Sequence, residues 1–336
     1  MSTTSTPNRT AANSSVPDVL AHPGISAIQF GIPLGLAGLA GGWSAAVLEL
    51  NAPAWPAELF YAAGSFLWII LTVRYAAGRL RRRAARGARI GHRTIDPFAS
   101  LIPLVAVLLT AHYTQYAFTL FAWLCGAAIA AQVLLAAWLI ARCINGDVPF
   151  DAFHAGYFIP LAAGPNIVSI GLSAIHQHHA ALAAAGAGLF FWIVITTAIL
   201  VRAISGERTP AEMKPGMAAF LAAAATTNLA WILAHPGRLQ ETQQLLTGVL
   251  LVMLLAQIFL LGEYGRLRFS QAWWIFTFPM AATANYTVRW MAVSHIPGWH
   301  VWSWCALAIT TAFILYVAAR TISASVRARA DRPGSC

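Results

Sequence analysis

Residues 273–286 read WWIFTFPMAATANY, an apolar, helix-like stretch with a proline in its middle. In a helix interior, proline removes one backbone donor and displaces the carbonyl four residues earlier, at a cost of about 3 kcal/mol. For Pro279 that carbonyl belongs to Ile275. Such a proline is tolerated where the surrounding protein or water satisfies the displaced group. The stretch therefore predicts an interrupted helix in the protein interior.

The composition of the whole chain is that of a membrane protein. Of its 336 residues, 59% are hydrophobic and 10% are charged, whereas about 25% are charged in a soluble domain. Apolar runs of about 20 residues, the length that crosses a bilayer core as an α-helix, recur along it. We predict ten such spans, at residues 26–49, 56–78, 97–114, 117–142, 153–174, 180–202, 214–234, 242–262, 271–292 and 300–322.

The basic residues are distributed by loop. The net charge of +10 does not indicate nucleic-acid binding, because the arginines and lysine follow alternate loops and do not form one soluble basic domain. The positive-inside rule then places both termini in the cytoplasm. We expect the membrane to be the inner (plasma) membrane. The run RLRRRAARGAR reads as a topology determinant, with a lipid or partner site as the alternative. Seven arginines lie between spans two and three: Arg79, Arg81, Arg82, Arg83, Arg86, Arg89 and Arg93.

The two ends of the chain differ from the apolar part. Residues 1–24 are rich in Ser, Thr, Asn and Pro and lack the basic-then-apolar start of a signal peptide, so we expect a disordered cytoplasmic tail. Residues 323–336 form a short, basic cytoplasmic tail. Residues 25–322 are the transmembrane domain.

Proline recurs at matching places in the odd-numbered spans. The tetrapeptides GIPL, LIPL, FIPL and TFPM place Pro33, Pro103, Pro160 and Pro279 in spans one, three, five and nine. The last spacing is about twice the others, so the small-residue helix MAAFLAAAATTN in span seven is the repeat without a proline. The repeating unit is a two-helix hairpin present five times, a pattern typical of membrane transport proteins.

These prolines predict which helices are inside. Lipid cannot satisfy the carbonyls that proline frees, so the odd spans should be enclosed by the even spans. Five inner helices kinked at a similar depth would form a pseudo-five-fold ring around a central pore. The alternative is a set of ordinary kinks in a packed bundle.

The acidic residues constrain what such a pore would carry. All eleven lie outside the mid-membrane part of the odd spans, so no carboxylate is placed there for a cation site or a proton relay. A neutral lining of Gly, Ala, Ser, Thr and aromatic residues, with basic residues near the mouths, favours an anion. A channel for neutral solutes would have a similar lining.

Four stretches resemble a known family: IQFGIPLGLAGLAGGW, DPFASLIPL, KPGMAAFLAAAATTNLAW and WWIFTFPM. They are similar to the tellurite-resistance/dicarboxylate transporter family, which includes bacterial TehA-type proteins and plant slow anion channels. The resemblance implies five helical hairpins around a pore in each subunit of a homotrimer, without a cofactor. It also implies transport of chloride, nitrate, sulfite, dicarboxylates or other oxyanions by a channel or channel-like exporter. A proton-coupled C4-dicarboxylate or sulfite carrier is the alternative.

The resemblance also assigns a gate. In the TehA and slow-channel branch a phenylalanine of the ninth helix blocks the pore, and the matching residue is Phe278. Ala224 aligns with a proline that many relatives have in the seventh helix, so the kink there is not carried over.

The residues around Phe278 support a gate independently of the family. The ring immediately precedes Pro279, which restricts the local backbone, and a hydrophobic constriction can close a pore by dewetting. A core aromatic at a helix contact is the simpler alternative. By helical spacing we expect Trp274 on roughly the same face and Phe276 on another.

Further candidates are small or polar residues near the prolines. Gly31 and Gly35 flank Pro33 and would line the pore or allow close helix contact. Asn166 and Asn228 lie beyond the kinks and would donate hydrogen bonds to an anion or to another helix.

Arg289 is a candidate for the outer vestibule. It lies eleven residues beyond Phe278, about 16 Å along a helix. We expect it to lend positive potential to the outer mouth, with pairing to a lipid headgroup or to Glu241 as the alternative.

Seven of the ten histidines fall on the predicted outer side: His112, His176, His178, His179, His235, His295 and His300. The motif IHQHH invites a metal site, and a di-iron membrane oxidase is the corresponding enzyme class. Such an enzyme needs several histidine clusters converging on one site, and this sequence has one short cluster. We therefore expect no metal and no enzymatic activity, with solvated histidines that tune vestibule charge.

The predicted topology is tested by labelling single cysteines with an impermeant thiol reagent. We expect a cysteine at Gln177, in an outer loop, to be labelled from outside in intact cells, and a cysteine at Asn145 to be labelled only after lysis. Labelling of the second position but not the first from outside would contradict the topology.

Overall fold

A computed structural model of the chain describes residues 26–86, 96–150, 153–205, 211–236 and 240–330. Within these residues the fold is built from helices without strands. Its α-helices are α1 (Gly31–Leu50), α2 (Trp55–Arg86), α3 (Leu101–Tyr113), α4 (Phe118–Ile144), α5 (Gly164–Ala174), α6 (His178–Ser205), α7 (Ala219–Ala234), α8 (Glu241–Tyr264), α9 (Thr277–Ser294) and α10 (Trp299–Ala330). The predicted tail 1–24, Arg89 and Arg93 lie outside the described residues.

Each predicted span contains one of these helices, which confirms an all-α membrane protein with ten helices. Eight helical segments in the described part of the chain are long and apolar enough to cross a bilayer. The segment Pro97–Tyr113 is apolar but shorter, and α9, which carries Asn285 and Arg289, is not among the eight. Because other helices surround α9, it needs little apolar surface of its own. At the other end, α10 continues to Ala330, into the predicted C-terminal tail.

Every odd-numbered helix is preceded by a short 3₁₀ segment. These segments are Ala27–Phe30, Pro97–Ser100, Ala155–Tyr157, Ala211–Ala218 and Gln271–Phe276. The third is followed by a π-helical turn, Ile159–Ala163. The even-numbered helices α4, α8 and α10 begin directly as α-helices.

The 3₁₀ segments explain how the prolines are accommodated. Pro33, Pro103 and Pro279 are each the third residue of their α-helix, immediately after the 3₁₀ segment. In the first turn of an α-helix the backbone N–H has no intrahelical partner, and in a 3₁₀ turn a carbonyl accepts from the residue three positions later. A proline at this junction therefore costs few backbone hydrogen bonds. The sequence predicted helices broken or kinked at these prolines, and the structure places the three prolines where the backbone changes its hydrogen-bond pattern.

Pro160 lies in the π-helical turn, and its own carbonyl depends on an outer helix because a second proline follows. In the π-helical turn the N–H of Gly164 donates to the carbonyl of Ile159. The next residue, Pro165, has no N–H, so the carbonyl of Pro160 lacks a backbone donor. Gln132 of α4 donates its Nε2 to that carbonyl over 3.3 Å and is itself fully buried. A polar residue in an otherwise apolar outer helix thus satisfies a carbonyl that lipid could not satisfy.

The odd-numbered helices form the interior, as predicted. α1 contacts α3, α3 contacts α5, α5 contacts α7, α7 contacts α9, and α9 contacts α1, so their contacts close a cycle. In the most apolar 18-residue stretch of the segments containing α1, α5 and α7, 61 to 78% of the residues are buried, against 17 to 28% in that of the five even-numbered helices.

The even-numbered helices surround this cycle. Each packs against its hairpin partner, and α2, α4 and α6 also contact the next odd helix, while α10 contacts α9 and α1. Their outer faces expose large apolar side chains such as Phe66, Trp123 and Phe259. Lipid is the environment in which such faces are stable.

α1 and α9 pack closely against each other, and α1 presents a row of glycines at this contact. A Cβ atom added at Gly35 would overlap the hydroxyl of Thr277 and lie 2.9 Å from its Cβ. A Cβ at Gly38 would lie 2.9 Å from the Phe278 ring and 3.0 Å from the Cβ of Ala281. Any larger residue at these positions would push the two helices apart.

We predict that Gly35→Ala lowers the free energy of unfolding by about 1–3 kcal/mol, the usual cost of overpacking. The matched control is Gly126→Ala in α4, because nothing lies within 4 Å of a Cβ there. Alanine favours a helix over glycine by up to about 1 kcal/mol, so the control should melt at or above the wild-type temperature in detergent. Equal melting of Gly35→Ala and wild type would contradict the close contact.

Candidate functional site

Phe278 lies in the interior of the helix cycle. It is the second residue of α9, is buried, and packs on Gly38 of α1. It belongs to a continuous apolar cluster to which all five inner helices contribute, including Leu34, Leu104, Leu161 and Ala224. This is the position that a side chain needs if it is to close a path between the inner helices.

Trp274 does not share the face of Phe278. Its backbone and Cβ lie beside Gly31, and its indole lies beside Gly35 and donates from Nε1 to the hydroxyl of Thr321 in α10, over 2.9 Å. The reason is that Trp274 lies in the 3₁₀ segment, where residues three apart align, so it aligns with Thr277. The expectation of a shared face assumed α-helical spacing across the junction. Both glycines contact α9, so the close-contact alternative describes their positions.

Phe276 faces another side of α9, as predicted. Its ring packs edge-on against Tyr264 of α8, with the ring centroids 4.8 Å apart. It is as buried as Phe278 and is therefore a matched comparison for it.

Asn166 and Asn228 form hydrogen bonds between helices. Asn166 Nδ2 donates to the carbonyl of Ala162 and, over 2.8 Å, to the hydroxyl of Thr227 in α7. Asn228 Nδ2 donates to the carbonyls of Ala224 and Leu246. These bonds match the interhelical alternative.

Sequence reasoning missed the buried polar group that joins α7, α8 and α9. Gln243 Nε2 donates to Asn228 Oδ1 and to the hydroxyl of Tyr286, and Thr247 lies within hydrogen-bond distance of the same hydroxyl. Gln243 and Thr247 are one turn apart in α8, so they share a face, and this spacing of polar residues in an apolar helix was the available signal.

Near the C-terminal end of α9, Arg289 donates from Nε to Asn285 Oδ1 over 3.0 Å. Glu49 of α1 interacts with it electrostatically, but within the described residues no carboxylate lies within ion-pair distance of the guanidinium. The alternative partner Glu241 does not pair with it. Arg289 thus keeps a charge that no carboxylate neutralises by direct contact.

The outer histidines have separate environments. His112 stacks on Tyr61 with ring centroids 3.6 Å apart, and its Nε2 lies 3.2 Å from Glu58 Oε2. His235 Nδ1 lies 3.0 Å from the carbonyl of Trp231. In the described part of the chain, no three His, Cys, Asp or Glu side chains are grouped as metal ligands.

At the opposite end, the segments that precede the inner helices form a second closed cycle of contacts. Gln29 of the first segment donates to Gln271 of the last over 3.3 Å, and Asp96 and His154 cap two others. All five inner helices therefore begin at one end of the molecule. Each α-helix N-terminus carries about half a positive charge, so this end attracts anions.

Comparison with known proteins agrees with this architecture. Residues 25–322 match the family model SLAC1, described as "Voltage-dependent anion channel". The chain belongs to the SLAC1 family. This match confirms the family indicated by the GIPL and WWIFTFPM stretches.

Two plant members of the SLAC1 family are similar over part of the chain. The S-type anion channel SLAH2 of Arabidopsis thaliana is 28% identical over 102 residues, 30% of this chain and 20% of that protein. The guard cell S-type anion channel SLAC1 of the same plant is 25% identical over 127 residues, 38% of this chain and 22% of that protein. The matched region thus spans about a fifth of each relative.

The cap at His154 predicts a pH-dependent stability. Burial, together with the charge of Arg202, lowers the pKa of His154 below 6.5, so its neutral Nδ1 accepts the N–H of Gly156 over 3.0 Å. A lowered folded-state pKa contributes stability above the unfolded pKa, and this contribution is lost as the pH falls below it. His154→Ala should therefore cost about 1 kcal/mol, the usual value of a cap, at pH 8 and less at pH 5.

Melting temperatures in detergent at the two pH values test this prediction. His154→Asn is the control, because asparagine retains a cap acceptor that does not titrate, and its melting temperature should exceed that of wild type only at pH 5. A constant difference between His154→Ala and wild type would mean that the cap does not depend on protonation.

Proposed function

We propose that the protein conducts small anions between its five inner helices and that Phe278 closes this path. The observation that carries the proposal is membership, over residues 25–322, of a family described as anion channels. The two plant relatives are both named as anion channels. Phe278 precedes Pro279 within the apolar cluster of the inner helices, a position that suits a hydrophobic gate.

The charge distribution supports an anion as the transported species. The inner helices begin at the end where α2 carries Arg79 and Arg81, so their dipoles and these charges attract anions to the same mouth. No acidic residue lies in the middle of an inner helix, so a proton-coupled carrier would lack the usual relay. Chloride, nitrate, sulfite and dicarboxylates are the candidate substrates.

The assembly and location follow the family resemblance. We propose a homotrimer with one pore in each subunit, inserted in the plasma membrane with both termini in the cytoplasm. The pore would be the space enclosed by the cycle of inner helices, and the exposed apolar faces of the outer helices would contact lipid or neighbouring subunits.

Removing the Phe278 ring tests the gate. We predict that Phe278→Ala raises anion conductance severalfold in planar bilayers, because the hydrophobic constriction is lost. Phe276→Ala, which removes an equally buried ring on another face, should leave conductance near the wild-type value.

Stability separates a gate from core packing. Truncating a packed core phenylalanine costs about 3–5 kcal/mol, so Phe276→Ala should lower the melting temperature more than Phe278→Ala. If wild type and folded Phe278→Ala conduct equally, the ring is core packing and the gate is elsewhere. If transport saturates and is driven by a pH gradient, the protein is a coupled carrier.

A further inference from the structure

We infer that Arg289, Asn285 and Tyr61 form a binding site for a planar oxyanion, nitrate or a carboxylate, at the outer end of the path. The inference rests on the proposed function, because it places the site in line with Phe278. Asn285 and Arg289 follow Phe278 by seven and eleven residues, about two and three turns of an α-helix, so all three lie on one face of α9.

The hydrogen bond between Arg289 and Asn285 orients both side chains. The guanidinium Nε donates to the amide oxygen of Asn285 over 3.0 Å, so the amide nitrogen points away from the arginine. Among the described residues, neither this nitrogen nor the two Nη groups of Arg289 has a hydrogen-bond acceptor. The pair therefore presents several unused N–H donors next to a positive charge.

Gly41 of α1 keeps the space in front of these donors clear. A Cβ atom at Gly41 would lie 2.9 Å from Asn285 Nδ2 and 3.7 Å from the hydroxyl of Tyr61. The amide and the phenol, from α9 and α2, thus border the same small space. Tyr61 is held in place by its stacking on His112, whose imidazole lies against Glu58.

The chemistry of the donors selects the ligand. A guanidinium offers parallel N–H groups in a planar fork that matches the oxygens of nitrate or a carboxylate, whereas chloride gains nothing from the planar geometry. The amide and phenol donors then suit further oxygen lone pairs. Glu49, which interacts with Arg289 without pairing directly, would weaken the attraction for an anion.

A lysine substitution at position 289 distinguishes a site with a defined shape from a general attraction by positive charge. Arg289→Lys keeps the positive potential of the vestibule but loses the fork, so the preference for nitrate over chloride should fall while total anion current is retained. Reversal potentials under nitrate and chloride gradients, in the Phe278→Ala background, measure this preference. An unchanged preference in Arg289→Lys would overturn the shaped site.

Binding is measured without conduction by thermal stabilisation of the purified protein in sodium nitrate, against sodium chloride at equal ionic strength. Arg289→Gln should raise the half-maximal nitrate concentration about tenfold, equivalent to about 1.4 kcal/mol, and Glu49→Gln should lower it. Arg320→Gln, which removes an equal charge from a residue that packs on Phe269 and Tyr316, should match wild type.

Opposite effects of Arg289→Gln and Glu49→Gln on the half-maximal nitrate concentration would exclude a purely structural role for the two residues. If both variants lower the melting temperature without nitrate and leave the nitrate concentration unchanged, the two residues are a structural pair and the site is wrong. Nitrate stabilisation that depends on Arg289 in a protein that conducts no anion would support the site and overturn the proposed function.

Discussion

A bilayer core contains no hydrogen-bonding solvent, so each backbone group that proline frees must find its partner within the protein. This constraint accounts for the arrangement of the inner helices. Three prolines lie at the change from 3₁₀ to α-helical hydrogen bonding, where the missing N–H costs few backbone hydrogen bonds. The fourth, Pro160, lies in a π-helical turn, and the carbonyl that the following Pro165 leaves without a donor accepts from the side chain of Gln132 in an outer helix. An inner helix of this kind is stable only when other helices enclose it.

The glycines of α1 allow α9 to pack closely against it. Because Gly35 and Gly38 lack side chains, α9 approaches until Thr277 and Phe278 fill the space where a Cβ would be. The same absence at Gly41, nearer the C-terminal end of α1, leaves room for the amide of Asn285. Packing and the proposed anion path therefore depend on the same row of small residues.

Positive charge is concentrated at the two ends of the inner helices. The parallel inner helices bring five N-termini to the end of the molecule where α2 carries Arg79 and Arg81, while Arg289 lies near the C-terminal end of α9. Between them the inner helices contain apolar side chains and neutral polar groups that bond to other helices, as Asn166 and Asn228 do. The proposed path would therefore resist cations at its ends, and within it the inner helices offer no carboxylate to hold them.

The sequence by itself determined the number of helices, their order and which of them are inside. The length of each apolar run and the spacing of the prolines can be read from the chain alone. Together they are sufficient to predict the helices and which of them are inside. The tertiary structure decided which way individual side chains face. Trp274 and Phe278 separate because a 3₁₀ turn advances about 120° per residue and an α-helix about 100°. The partners of three polar side chains, those of Gln132, Asn228 and Arg289, lie on other helices or one turn away. The sequence pattern does not predict which partner each side chain takes, because the choice depends on how closely the helices pack.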